Sequence, residues 1–599
     1  MSHHPSSTPH DSDCGCCDCA HDPALADELA EPSPEEIFGP HVPEPLVPLQ
    51  AGPVTVYFDR EWAFLRRFQV AGREVLRAIY PAVRTATWKT VPPRISNVVI
   101  DQQADSFRVT FDCAHHDPAV EVDFHWRGEL AGSPDGTVTY VFDGAARLAM
   151  KTNRAGLCVL HPPLESAGRP VRIGHVDGSV EDTVFPALIS PHQPFFNVRS
   201  MTHEAAPGLS ARVTMEGEVF ETEDQRNWTD ASFKTYGGPL AIPLPLHFSA
   251  GHTVKQTVRF ELSGPIPQRE KAAPCVVLTL PEKGTTSLPS IGVRWAHDAA
   301  PLDVEALERL RALGLGHVLV DCDVTTAGWQ EKLARGQQAA RALGAKVLLR
   351  LEFTPNHQPA VREAAAFFAD APEELLAVSV VSQNEPSPSE VTLGLVRPAF
   401  AATAPNAVIA AAPAFNFADQ NRSRPPASAA CAPPMCPQVH NFDNESIMEN
   451  LQGQRVLLET VRSFNPHPIV AGPIALLRRR VHDPRQGSLF AAAWTAGSLA
   501  AILPTGLLHS ATYHEHAGPR GILGTPCEDV LEGLAGAAFT AETHVSEPAK
   551  VSALTVFDAD GSRRVLLANL TCEAVAIALP DQPDSGFELA AYTAVWLDA

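Results

Sequence analysis

Between residues 290 and 513 short apolar runs recur at intervals of about 30 residues with helix-like stretches between them, the spacing of a strand–helix repeat in a parallel barrel. Eight runs can be counted, at residues 291–295, 317–321, 346–352, 377–381, 408–412, 437–440, 468–472 and 508–513. Parallel strands are buried on both faces, so they read as continuous apolar runs instead of alternating ones. The stretches at 304–313 and 330–343 each end at a glycine, Gly314 and Gly344, the residue that best tolerates the left-handed conformation past a helix end. A (β/α)8 TIM barrel is therefore expected over residues 286–545. Residues 486–508 carry no charge and are long enough to span a bilayer, but Pro504 and Gly506 interrupt them and strand-like runs flank them. They read as a buried helix.

Upstream of the barrel the period changes to two. Runs such as 54–58, 107–111, 120–124 and 137–142 alternate apolar and polar side chains between Pro, Gly and Asp, which marks half-buried antiparallel strands. Residues 51–285 are expected to form an N-terminal β-sandwich, and residues 546–599 a small C-terminal β domain around the turn at Asp558–Gly561. The latter is too small to stand alone and should pack on the barrel or complete the sandwich. The fold class is thus α/β plus β. The first 50 residues read as a disordered Cys/His/Pro-rich tail. Its cysteines, Cys14, Cys16, Cys17 and Cys19, with His10 and His21 nearby, offer thiolates for a soft metal such as Zn(II) or Cu(I), but their spacing fits no standard zinc finger and the adventitious or disordered reading is favoured.

The 599 residues carry 46 Lys+Arg against 69 Asp+Glu, a net charge of −23, which argues against nucleic acid or an anionic membrane as partner. A small uncharged ligand, or another protein, suits the chain better, and homo-oligomerisation is left open. The N-terminus lacks the basic start and apolar core of a secretory signal, so a cytoplasmic location is expected.

Barrel chemistry sits at the C-terminal strand ends, where the sequence offers Asp321, Asp323, Glu352, Asn384-Glu385-Pro386, Asn416, Asp419, His440, Asp443 and His514-Glu515-His516. Asn-Glu-Pro after strand 4 resembles the acid/base signature of retaining barrel glycosidases, but strand 7 lacks the nucleophilic carboxylate that such enzymes hold nearby. No Gly-x-Ser-x-Gly elbow, His-Glu-x-x-His, phosphate loop or dinucleotide loop is present. Water is the expected nucleophile, and an ester or lactone carbonyl, which needs one base and one donor for the oxyanion, the expected target.

Residues 220–236, FETEDQRNWTDASFKTY, resemble a characteristic segment of the bacterial D-apionate lactonase family. Supporting strings are VPPRI at 91–95, NRAGLCVLHP at 153–162, PQVHNFD at 437–443 and TYHE at 512–515. The resemblance implies a β domain, a barrel and a C-terminal β domain, and hydrolysis of D-apionolactone or a related sugar lactone. Residues 220–236 set six charged side chains among four aromatics, either as a knot of ion pairs joining β domain to barrel or as a lid whose Asn227 or Lys234 reaches substrate. In the leading reading Glu385 is the general base, Glu515 its partner and His440 the oxyanion donor, with Asn384, Asn416, His514, Asn227 and Lys234 binding substrate. It calls for no cofactor and no metal. The alternatives are a glycosidase using Glu385 and Glu515, a non-catalytic sugar-binding protein, and a metal-assisted hydrolase in which Asp321, Glu352, His440 and His514 converge on an ion.

Overall fold

The computed structural model describes residues 32–268, 275–477, 481–579 and 582–598. The cysteine cluster at Cys14–Cys19 lies outside these residues.

The N-terminal region is antiparallel throughout. Phe107–Asp117 pairs with Val122–Gly132, which pairs with Val138–Ala146, which pairs with Thr253–Ser263. Val122–Gly132 buries every second residue, as the period-two pattern requires of a strand with one face on a core. A second group behaves differently. Arg73–Thr85, Met150–His161 and Phe233–Gly237 pair side by side and are buried on nearly every residue, polar ones included. One face of that sheet covers the domain's own core, and the other meets barrel segments, as Arg77 Nη2 to Gln452 (2.8 Å) and Arg84 Nη2 to the His440 carbonyl (3.1 Å) show.

The barrel strands are β1 Ser290–Arg294, β2 His317–Asp323, β3 Lys346–Phe353, β4 Leu375–Ser382, β5 Val408–Ala411, β6 Ala430–Cys431, β7 Ile469–Ile474 and β8 Leu508–Glu515. They pair in parallel in the order β6-β5-β4-β3-β2-β1-β8-β7. Closure between β6 and β7 comes from Pro433–Met435 lying along Gly472–Ala475: Gly472 N–H donates to Pro433 O (2.9 Å) and Met435 N–H to Pro473 O (3.1 Å). The sixth strand therefore precedes the expected 437–440. Its ladder is two residues long because Pro433 and Pro434 cannot donate to a neighbour. His440 falls in the loop beyond.

Helix Trp329–Leu343 ends at Gly344 in the left-handed conformation, as its sequence suggests. The uncharged stretch forms helix Leu489–Ile502, buried on nearly all sides and packed against Val551–Asp558 and Arg563–Asn569 of the C-terminal sheet. Among the described residues no helix is long and apolar enough to cross a membrane. The C-terminal β domain has its own core and recruits two strands from before the barrel: Val276–Thr279 pairs with Val575–Leu579, and Thr286–Ser287 with Ala537–Glu542. Strands Val276–Thr279 and Thr286–Ser287 thus belong to the C-terminal sheets and not to the N-terminal sandwich.

Candidate active site

The C-terminal ends of the barrel strands surround a cavity of about 440 Å³, a size suited to a small-molecule ligand. Its two sides differ in chemistry. Strands β1, β3 and β8 and the loop after β8 supply Arg294, Arg350, Glu352, His514, Glu515 and Arg520. Facing them are apolar and small residues from the ends of β5, β6 and β7, among them Ala412, Phe415, Met435 and Pro473. The N-terminal β domain adds Trp228 and Thr229.

Glu515 is the most constrained group on the polar side. Arg294 Nη1 donates to Oε1 at 2.9 Å, and Arg520 Nε lies 3.0 Å from the same oxygen. Among the described residues nothing donates to Oε2. Arg294 also bonds Asp321 Oδ2 (2.5 Å), so β1, β2 and β8 are tied into one ion-pair chain at the mouth. Arg350, 8% exposed, donates from Nη1 to Glu352 Oε2 at 3.4 Å and lies 3.7 Å from Asp321 Oδ1; among the described residues its guanidinium makes no other hydrogen bond.

His514 is buried beside Glu515, and burial pushes its imidazole down to about 4. Thr495 donates its hydroxyl proton to Ala491 O (2.7 Å), so it accepts from His514 Nε2 (2.9 Å), and Nδ1 accepts from the Gln486 amide (3.2 Å). Both ring nitrogens are occupied, which suits a wall and not a proton carrier. Asp483 also lines the cavity; burial raises its carboxyl, but the bonds from Arg485 and Gln438 outweigh that and hold it below the usual range. His516 stacks on Trp295 with ring centroids 3.9 Å apart.

The other expected residues are dispersed. Glu385 does not line the cavity: its carboxylate accepts from Ser389 N–H (2.8 Å), Ser389 Oγ (2.8 Å) and Thr392 Oγ1 (2.9 Å), at the N-terminus of helix Glu390–Thr403. Burial raises this carboxyl and the three bonds more than offset it, leaving it below its ordinary value. The structure therefore assigns the acidic residue of Asn-Glu-Pro to helix capping, where a carboxylate also meets a favourable dipole. Asn384 is exposed beside it and away from the cavity. Glu385 and Glu515, the pair a glycosidase would use, do not share the cavity.

His440 packs behind the cavity wall, its Nδ1 2.5 Å from Asp230 Oδ2. Lys234 is buried against Glu223 (2.8 Å), and burial pulls its amine down. Asn227 bonds Ser190 O (2.5 Å), Asp224 O (3.1 Å) and Asn421 Nδ2 (2.9 Å). Most charges of residues 220–236 pair inside the β domain, Arg226 with Asp224 and with carbonyls of residues 186–188, while Asn227, Thr229, Asp230 and Ala231 reach the barrel at Asn421, Cys436, His440 and Asn450. Only Trp228 and Thr229 of that segment line the cavity. Asn416 lines it too, at the start of helix Phe417–Arg422. Of the residues proposed to share a metal, none gathers into a group of three or more metal-ligating side chains among the described residues.

Arg294, Arg350 and Arg520 line the cavity without being among the expected site residues. A signal was present, because an arginine inside an otherwise apolar barrel strand, as in IGVR and VLLRLE, has no packing role and must find a carboxylate or a ligand.

Comparison with known proteins adds identity to this geometry. A structural likeness exists to an endoxylanase of Clostridium papyrosolvens (13% identity, 54% of this chain and 100% of that one, TM-score 0.37) and to a β-arabinopyranosidase (11%, 92% and 98%, TM-score 0.30). In sequence, the chain is 30% identical over 519 residues to a D-apionate lactonase of Brucella anthropi, covering 80% of this chain and 83% of that one. The three domains defined for such lactonases match in order: N-terminal at 37–265, TIM barrel at 291–549 and C-terminal immunoglobulin-like at 548–597. With all three domains and most of a curated relative's length accounted for, the chain belongs to the D-apionate lactonase family.

Proposed function

We propose that the chain opens D-apionolactone, or a closely related furanose sugar lactone, to its hydroxy acid in the cavity at the barrel mouth. The observation that carries the assignment of roles is the state of Glu515: two guanidinium groups fix Oε1, and Oε2 has no donor among the described residues of a cavity it lines. A carboxylate oxygen held in this way is placed to take a proton from water.

The reaction then runs as follows. Water attacks the lactone carbonyl carbon while Glu515 Oε2 accepts its proton, and the carbonyl oxygen becomes an oxyanion. Arg350 and the Arg294 guanidinium offer positive charge where that oxyanion develops, inside a site whose far wall is apolar and strengthens the interaction. The tetrahedral intermediate collapses with cleavage of the bond between carbonyl carbon and ring oxygen. That oxygen takes up the proton held by Glu515 and the hydroxy acid leaves. His514 serves as a fixed neutral wall that holds the backbone at Glu515 in place.

The test is acid release from purified protein and D-apionolactone at constant pH, against the spontaneous rate. No acceleration on any furanose lactone would overturn the assignment.

A further inference from the structure

One part of the cavity wall comes from outside the barrel. Trp228 closes the turn Gln225–Trp228 of the β domain and lines the cavity with Thr229. The chain on either side of it is anchored. Asn227 makes the three bonds already described, and Thr229, left-handed at φ 65°, bonds through its hydroxyl to the Cys436 carbonyl of the barrel.

The indole is held as firmly as its backbone. The Arg422 guanidinium lies 5.0 Å from a ring centroid, and since Arg422 does not itself line the cavity it covers the ring from outside. The His440 ring meets the indole edge-on at 5.5 Å and 85°. His440 is in turn fixed by Asp230, whose other oxygen is 3.4 Å from the Asn450 amide. A half-buried aromatic ring clamped on one face and one edge, with its remaining surface toward a ligand-sized cavity, is built to receive an apolar surface.

A furanose lactone offers such a surface, because its hydroxyl and carbonyl oxygens leave C–H groups on part of the ring. With the oxygens directed to Arg294, Arg350 and Glu515, the C–H face turns to the opposite wall. Phe415 lines that wall as well and leaves 73% of its surface to solvent, surface that a bound ring would cover.

We propose that Trp228 is a substrate-recognition residue contributed by the N-terminal β domain, the platform for the C–H face of the lactone ring, and that Asp230 and His440 are positioning residues that set its angle. The inference rests on the lactonase reading of the same cavity. It makes the β domain a working wall of the active site, and it gives His440 a role two contacts away from the reacting carbonyl.

The test is a set of steady-state measurements on D-apionolactone. Trp228→Ala is expected to raise KM by about tenfold or more with kcat changed by less than about threefold, since a platform binds ground state and transition state alike. Trp228→Phe should recover most of the loss. Asp230→Asn, which can still accept from His440, should keep KM near the native value, whereas Asp230→Ala should raise it. An unchanged KM in folded Trp228→Ala protein would overturn the proposal, as would an Asp230→Ala variant that loses kcat and thermal stability with no change in KM. If the native protein itself opens no lactone, the lactonase reading fails separately. Trp228 is then judged by titrating tryptophan fluorescence with D-apionolactone itself: a change present in the native protein and lost in Trp228→Phe supports the platform, and no difference between the two overturns it.

Discussion

Replacing Glu515 by glutamine separates the chemistry of this site from its architecture. The amide keeps the side chain's length and one acceptor oxygen for Arg294 and Arg520, and removes the basicity of Oε2. Breaking a buried ion pair outright costs about 3–5 kcal/mol. Here each guanidinium retains a second carboxylate, Asp321 for Arg294 at 2.5 Å and Asp298 for Arg520 at 3.5 Å, so the loss should be nearer that of one charged hydrogen bond, about 1.5–3 kcal/mol. A domain stable by about 5–15 kcal/mol stays folded through such a change. The rate should fall by about 10²–10⁴, the contribution of a positioned general base. Because the variant stays folded, that drop reports chemistry and not unfolding. Acid release at constant pH measures it, with the spontaneous rate subtracted and a thermal melt confirming the fold. A folded Glu515→Gln protein within about fivefold of the native rate would refute the reasoning, because a residue supplying the proton transfer cannot be removed so cheaply.

Three further outcomes follow from the geometry. Glu385→Gln should cost about 0.5–2 kcal/mol of stability, as one of the oxygens that cap helix Glu390–Thr403 becomes a donor, and leave kcat untouched; a large fall in kcat with no change in melting would return Glu385 to the chemistry. Acid should destabilise the fold well above the carboxylate range: burial lowers His115, His203, His514 and His516 to about 4 and His317 to about 3, so the unfolded chain binds protons first. Stability from these groups is full above their ordinary value of 6.5 and drains as pH falls toward 4, by about 2 kcal/mol for each group by pH 5, and a melting temperature flat from pH 7 to pH 5 would contradict it. Gly292→Ala places a Cβ 2.2 Å from the His317 carbonyl oxygen and 2.6 Å from its ring, which Ser290 and Thr512 hold on both nitrogens, so urea unfolding should show a loss of about 1–3 kcal/mol or more.

How much of this could be read from the sequence depends on how local the deciding physics is. Strands β1 to β5, β7 and β8 are legible because a strand buried on both faces must be apolar over its own length. Strand β6 is not, since its pairing amounts to Ala430–Cys431 and the barrel is closed by Pro433–Met435, a segment whose prolines argue against a strand. The N-terminal strands show their period of two, yet nothing local says that Val276–Thr279 leaves the sandwich for a parallel pairing with Val575–Leu579, some 300 residues downstream in the chain.

The same distinction governs the site. Glu515 stands out in the sequence because His514 and His516 flank it at the end of an apolar run, and the structure puts it in the cavity. Glu385 stands out for a similar reason, but Ser389 four residues on begins a helix, and the carboxylate is drawn to the unsatisfied N–H groups there. Ser389, four residues after Glu385, is the sequence signal for that capping role. Trp228 lies beyond that kind of reasoning altogether. Its role comes from a contact between domains, through Arg422 and His440 on one side and the barrel mouth on the other, and no strand-end inventory of the barrel would include it. What residues 220–236 did carry was an unexplained cost: six charges and four aromatics in 17 residues require burial of both kinds. The charges are satisfied within the β domain, with Asp230 reaching the barrel at His440, and the one aromatic among them that lines the cavity is the residue whose removal should be felt in KM.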